Sequence, residues 1–455
     1  MDSLKRVAAW GIWLVLVVTA VSGRAAQTMS LDDLLDVAME QNGVILAAQR
    51  DLAAKQIGAQ KVWSMILTQI DVEGAYRRSD EAIERFGQRI VPEEQSAIGL
   101  MVDQPLMRPE FFPRHAESMI VAKIALEGYS QRVQETLLQV ADAYTNVLRL
   151  QNLLNQARSA EKAALEINQR IQAMYRAGTV TEDIALKAAL DYKAASLKVS
   201  DRELNLSLAQ RELSALVNMD IRQVDLIPPS QTLPDISNNI TQAVTTALEH
   251  RHDYKAAALE VARSKNALKA VKAQFFPTLT GRMTMSAIEN PRYDEQDESW
   301  TASLVFRLPL VERGMRWFDL RQSREIVQRA LLDQENKKQS VILEVEKAHA
   351  DAIVARDRFS LLEKQYEWAQ TNYQRVKNLF EKGSAVTAEL SSALAQMDAA
   401  EVEMINGRFD FWTAFLHFEA ACGVFGAQQI ESRLERLRSG AIHGQDIMGG
   451  DAVSK

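Results

Sequence analysis

Cysteine is almost missing from this chain. The single Cys422 cannot form an intrachain disulfide, and beside Ala420, Ala421 and Val424 it reads as a small buried hydrophobe. With no Cys/His cluster, a zinc site is not expected. Of six histidines only His250 and His252 lie close together, and alternate spacing on a helix turns them to different sides. Helix breakers are also scarce. The 10 prolines and 19 glycines in 455 residues cluster, which leaves very long uninterrupted stretches and favours long helices. Positive charge is not in excess: the net charge is −7 with no Lys/Arg cluster, which argues against a nucleic-acid protein. The motifs G-x-x-x-x-G-K-[ST], G-x-G-x-x-G, G-x-S-x-G and H-E-x-x-H are all absent, so neither an enzyme nor a cofactor is expected.

Long apolar runs are missing too, except at the start. Lys5 and Arg6 precede an apolar stretch from Val7 to Val21, followed by Ser22, Gly23, Ala25 and Ala26. That run falls short of the roughly 20 residues a spanning helix needs and reads as a cleaved export signal over residues 1–26, cut after Ala25 or Ala26. No cysteine stands at the junction to carry a lipid. A mature chain that enters a membrane must therefore do so as a β-barrel.

What is present is a tandem repeat. The stretch beginning at Ala38 matches that beginning at Ala247. The segment around Pro105 answers that around Pro309, the segment around Gly178 answers that around Gly383, and Asn218 answers Gly423. The shifts lie between 204 and 209 residues. A proline-bearing segment, 225–238, separates the copies. The chain thus divides into the signal (1–26), a first repeat (27–224), the linker (225–238), a second repeat (239–425) and a tail (426–455) read as flexible. Each repeat predicts a medium helix (31–66; 239–274), a strand pair, a very long helix (114–177; 315–381), a glycine turn and a second medium helix (180–217; 386–422).

The long helices carry coiled-coil seams. Val341, Val345, Ala348, Ala352, Ala355, Phe359, Leu362, Tyr366, Ala369, Tyr373, Val376 and Phe380 alternate in steps of four and three, as do Val133, Leu137, Val140, Tyr144 and Val147. A helix of about 65 residues is roughly 100 Å long, so two medium helices end to end match one long one.

The strand pairs alternate. Ile70, Val72 and Tyr76 oppose Asp71, Glu73 and Arg77. Ile98, Leu100 and Val102 oppose Gly99, Met101 and Asp103. Leu279, Gly281, Met283 and Met285 oppose Thr280, Arg282, Thr284 and Ser286. Trp300, Ala302, Leu304, Phe306 and Leu308 oppose Thr301, Ser303, Val305 and Arg307. Segments of this length joined by the polar stretches 78–95 and 287–299 fit membrane strands better than a soluble hairpin, with Tyr76, Tyr293 and Trp300 as an aromatic girdle. Four strands cannot close a barrel, and an open edge is forbidden in lipid. Two copies would supply eight strands and three copies twelve; the pattern alone does not choose.

The tandem plan, the strand ends Gln104-Pro105-Leu106 and Leu308-Pro309-Leu310, and the turns Tyr175 to Gly178 and Phe380 to Gly383 resemble the TolC-like outer-membrane efflux protein family over residues 30–425. The resemblance implies a mainly α homotrimer, with long antiparallel coiled-coil hairpins forming a tunnel and four membrane strands per chain in a twelve-stranded barrel. It implies an outer-membrane location reaching into the periplasm. It also implies a periplasmic adaptor that meets the tips at Gly178, Thr179, Gly383 and Ser384 and links the duct to an inner-membrane pump. The family's closing acidic ring falls on Glu389, while its second position is Ser392, a departure that leaves three carboxylates per trimer instead of six. Asp183 becomes a candidate tie between helices at the same throat. A drug or small-molecule efflux duct is the main reading. The duct of a protein-secretion system and an exported coiled-coil spacer remain alternatives.

Overall fold

The computed structural model describes residues 27–86, 88–228, 234, 236, 239–289, 291, 296–310 and 314–436. The signal segment, Tyr293 and the tail beyond 436 lie outside them. In chain order the elements are β1 (Gln27–Met29), α1 (Leu31–Gln41), α2 (Gly43–Gln60), β2 (Gln69–Arg78), β3 (Ile83–Arg85), β4 (Gln88–Val91), β5 (Glu94–Met107), α3 (Phe111–Arg176), α4 (Glu182–Val217), β6 (Val224–Leu226), α5 (Ile240–His250), α6 (His252–Ala273), β7 (Thr278–Glu289), β8 (Glu298–Arg307), α7 (Met315–Glu381) and α8 (Thr387–Ala421). Short 3₁₀ turns follow α2 and α4.

The predicted first medium helices, 31–66 and 239–274, are each broken. Asn42 (φ −68°, ψ 124°) and Arg251 (φ −62°, ψ 124°) leave the helical region after 11-residue helices. Asn42 makes the break by capping: its Oδ1 accepts from the N–H groups of Val44 and Ile45, and its amide donates to the Leu216 carbonyl at 2.7 Å. The polar stretch 78–95 contains a small hairpin, β3–β4, which its charge concealed. The described part of the tail is helical over 427–436, with Ile430 buried.

The chain forms two compact units, and both repeats contribute to each. One comprises Met1–Leu46, Val133–Ala243 and Val345–Lys455; the other comprises Ala47–Arg132 and Val244–Glu344. In the first unit the helices lie in the order α4–α3–α8–α7. Arg158 pairs with Glu203 at 2.7 Å between α3 and α4. Leu154, Ala157 and Val199 pack below that pair. Between α3 and α8 polar contacts, His417 to Asp142 at 3.1 Å, Arg149 to Asp410 at 3.7 Å and Gln156 to Asp398 at 3.3 Å, stand beside apolar ones from Ala163 and Ile167. Between α7 and α8 apolar contacts, Phe359 on Phe411 and Tyr373 on Leu390, Ala393 and Leu394, stand beside an ion pair of Arg358 and Glu403 at 3.8 Å. A Cβ on Gly407 would lie 2.5 Å from Leu362 Cδ1 and 3.7 Å from Phe359 Cα, so a side chain there would require the Leu362 methyl to move. Every residue of the α7 seam read from the sequence is buried or half-buried. The linker is pinned at both ends. β6 pairs in parallel with β1, the Tyr144 hydroxyl donates to the Ile227 carbonyl, and Ile236 is buried beside Ala352 and Phe411.

In the second unit the four-stranded sheet runs β2–β5–β7–β8, antiparallel throughout. Its helices repeat this order. Lys55 and Gly58 of α2 line a groove with Glu117 and Val121 of α3. His252 and Arg263 of α6 reach Glu127 and Glu117 of α3 at 2.7 and 3.5 Å. An ion-pair cluster joins α6 to α7, with Arg251 on Asp253 and Glu344, both at 2.6 Å, and Lys337 on Asp253 at 2.7 Å.

That cluster sets a pH dependence. Burial pushes the Asp253 carboxyl up, but the hydrogen bonds and charges of Arg251 and Lys337 outweigh it and hold it down at about 2. A depressed carboxyl stabilises the fold fully above its ordinary value near 4, and the contribution is lost as pH falls toward 2. Asp253→Asn is expected to cost about 2 kcal/mol at neutral pH. Its stability curve should meet that of the unsubstituted protein as pH approaches 2, measured by circular-dichroism melting in detergent.

Candidate functional site

Two sites emerge from the backbone upward. The first is the pair of turns between the long hairpins. Gly178 (φ 72°) and Gly383 (φ 74°) hold the left-handed conformation that a side chain resists. Each ends its helix in the same way. Gly178 N–H donates to the Tyr175 carbonyl at 2.9 Å and Thr179 N–H to Met174 at 3.0 Å; Gly383 donates to Phe380 at 3.0 Å and Ser384 to Leu379 at 2.8 Å. This paired pattern satisfies the carbonyls that a helix end leaves open. It also explains the Tyr-x-x-Gly and Phe-x-x-Gly spacing. All four residues proposed for the tips are exposed. Arg170 of α3 lies over the Phe380 ring, 5.0 Å from its centre, and so bridges the two hairpins near their turns. The far ends of α4 and α8 carry the same device at Asn218 (φ 52°) and Gly423 (φ 75°).

The acidic candidates sit one turn beyond. Glu389 accepts from the Val386 N–H at 3.3 Å, and Asp183 is held below the usual carboxylate range, chiefly by the Thr181 hydroxyl and then by N–H groups of its own helix start. Both are exposed and both complement the positive end of a helix. The sequence reading missed a deeper pair, Asp398 and Glu401 on α8, whose carboxyls are pushed up by burial. Asp398 faces a cavity of about 500 Å³ between α3, α4 and α8, with Lys198, Lys187 and Asp191 on its wall. The signal was available: Asp398 interrupts an Ala/Leu/Met seam running from Leu390 to Met404.

The second site is the sheet. Its registers align one residue set across all four strands. Val72 faces Leu100, Leu100 faces Met285 and Met285 faces Trp300; next along, Ile70, Val102, Met283 and Ala302 align. The opposite face aligns Asp71, Met101, Thr284 and Thr301, then Asp103, Arg282 and Ser303, with Arg282 and Asp103 paired at 2.7 Å. One face is therefore apolar and the other polar, as a barrel wall between lipid and water requires. On the apolar face Tyr76, Leu304 and Trp300 are 62, 71 and 70% exposed. Among the described residues neither β2 nor β8 has a second neighbour. No described helix is long and apolar enough to cross a membrane, and no metal-binding cluster occurs among the described residues. His252 is instead engaged by Glu127.

Comparison with known proteins agrees with this geometry. Residues 243–424 match the outer membrane efflux protein family. The chain is 23% identical to the alkaline protease secretion protein AprF of Pseudomonas aeruginosa, over 73% of this chain and 70% of that one. It is 21% identical to the proteases secretion protein PrtF of Dickeya chrysanthemi, over 92% and 93%. The fold is similar to the Campylobacter jejuni CmeC outer membrane channel, with a TM-score of 0.75 and 15% identity over 89% of this chain and 88% of that one. Repeat, turns, two-faced sheet and similarity converge: residues 243–424 carry the outer membrane efflux protein pattern, and the chain as a whole shares the fold of a bacterial outer membrane channel and is similar along most of its length to two secretion proteins.

Proposed function

We propose that three copies of this chain close into one passive duct, the outer-membrane exit of a tripartite efflux system. The observation that carries this reading is the four-stranded sheet with one apolar face and two unpaired edges. In lipid, β8 of one copy must pair with β2 of the next. The helices support the same closure. α4 exposes Leu186, Leu190, Leu197, Leu204 and Leu208, and α7, at the other edge of its layer, exposes Val354, Leu361, Trp368 and Leu379. These stripes keep coiled-coil spacing and suit one another across a head-to-tail contact that closes as a ring. Three copies give the twelve strands that the family resemblance implies.

The exposed turns at Gly178, Thr179, Gly383 and Ser384 are the knobs offered to a periplasmic adaptor, which would join the duct to an inner-membrane pump. Glu389, repeated three times, would place a cation-favouring ring at the throat, and Asp183 would stand on the neighbouring hairpin. The chain carries no nucleotide motif, so the pump would supply the energy. Polypeptide export is a second reading, favoured by the names of AprF and PrtF, both protease secretion proteins.

Three outcomes test these statements. Purified protein in a planar bilayer should give discrete, cation-preferring openings, and Glu389→Ala should lower the cation preference severalfold; no openings from inserted protein would overturn the duct. Gly383→Ala should cost about 1 kcal/mol at its turn, read by hydrogen exchange, and weaken export without changing conductance. Gly383→Asn should cost less, since asparagine already holds this conformation at Asn218. In cells lacking the chain, retention of a small cationic dye with normal protein secretion would support efflux; a secreted polypeptide trapped inside would support the second reading.

A further inference from the structure

The apolar face of the sheet ends abruptly where the strands pass into helices. There, exposed rings collect at the junctions: Trp63 before β2, Phe112 after β5, Phe276 before β7, and Trp317 and Phe318 after β8. On the last turns of the helix that leads to Phe276 the charge is of one sign. Residues 263–276 hold Arg263, Lys265, Lys269 and Lys272 and no acid, in a chain whose net charge is −7. Arg263 is taken up by Glu260 and Glu117. Lys265, Lys269 and Lys272 are exposed in steps of four and three, which places them along one face of α6, and the exposed Phe276 follows just past the helix end. Neither Lys269 nor Lys272 has an acidic side chain within ion-pair distance among the described residues.

On the neighbouring helix, Phe112 and Ala116 complete a groove of about 480 Å³ with Pro113, Lys269, Lys272 and Phe276. Its floor is apolar, its rim holds two ammonium groups, and two phenylalanines stand at the end nearer the strands. Water gives no reason for Phe112 to be 75% exposed and Phe276 59% exposed beside lysines; a bilayer interface does. We infer that this groove between α3 and α6 binds an anionic phospholipid of the membrane's periplasmic leaflet, with the phosphate on Lys269 and Lys272 and the upper acyl chain between Phe112 and Phe276. The inference rests on the apolar sheet face contacting lipid. Charge complementarity selects an anionic head group, and the lysine stems can lie along the apolar floor while their ammonium groups reach the phosphate. The site would fix the depth at which the chain sits in the bilayer.

The test uses the full mature protein, reconstituted in vesicles of equimolar phosphatidylglycerol and phosphatidylcholine, extracted gently, and weighed by native mass spectrometry with its retained lipids. Phosphatidylglycerol should be retained over phosphatidylcholine by about thirtyfold, the size expected of two lysines at a surface. The double substitution K269Q/K272Q should bring the ratio near one, and K269R/K272R should keep it. F112A/F276A should lower total lipid retained without reversing the preference. Flotation of the vesicles separates the possible failures. Protein that inserts but retains both lipids equally, or a K269Q/K272Q variant that keeps the preference, overturns the site alone. Protein that does not insert overturns the site together with the membrane reading of the sheet.

Discussion

A strand at the edge of a sheet presents a row of N–H and C=O groups, and in hydrocarbon those groups have no water to turn to. This constraint shapes much of the molecule. β2 and β8 are open edges on a sheet whose one face is apolar from Ile70 to Phe306. The sheet cannot be stable in lipid as four strands, and the proposed continuation by another copy meets that condition. The helices accept the same condition, since α4 and α7 leave apolar stripes uncovered at the two edges of their layer. Within each unit the contacts are those of a segment of a ring.

The duplication explains how one chain reaches this arrangement with few distinct devices. The backbone conformation at Asn42 returns at Arg251, that at Gly178 returns at Gly383, and that at Asn218 returns at Gly423. The side chains that secure each copy have diverged. Asn42 caps the start of α2 with its own amide, whereas Arg251 is fixed by Asp253 and Glu344. Backbone geometry is held by the fold's needs, and many side-chain solutions meet it. The consequence is an asymmetry between hairpins, with half-buried acids on α8 at Asp398 and Glu401, and with Lys187, Asp191 and Lys198 lining the α4 side of the cavity that Asp398 faces.

The seams also differ in kind. α7 and α8 share a largely apolar interface, in which Leu362 packs over Gly407. α3 meets α8 through His417 and Asp142, Arg149 and Asp410, and Gln156 and Asp398. Such polar contacts are short in reach and weak when exposed.

The sequence by itself determined the repeat, the long helices to within a few residues, the coiled-coil seams, the two faces of every membrane strand and the glycine turns. Each is a local or periodic property: a 3.5-residue spacing, a two-residue alternation, a position that only a residue tolerant of positive φ can hold. Tertiary structure alone decided the rest. The breaks at Asn42 and Arg251 depend on distant partners, Leu216 and Glu344, that no local pattern announces. The strand order β2–β5–β7–β8 joins the two repeats through β5 and β7, which lie 170 residues apart from the end of one to the start of the next. The basic groove between α3 and α6 arises because the same packing brings Phe112 beside Lys269, and contacts of that range are set by how helices meet, which periodicity within one helix does not encode.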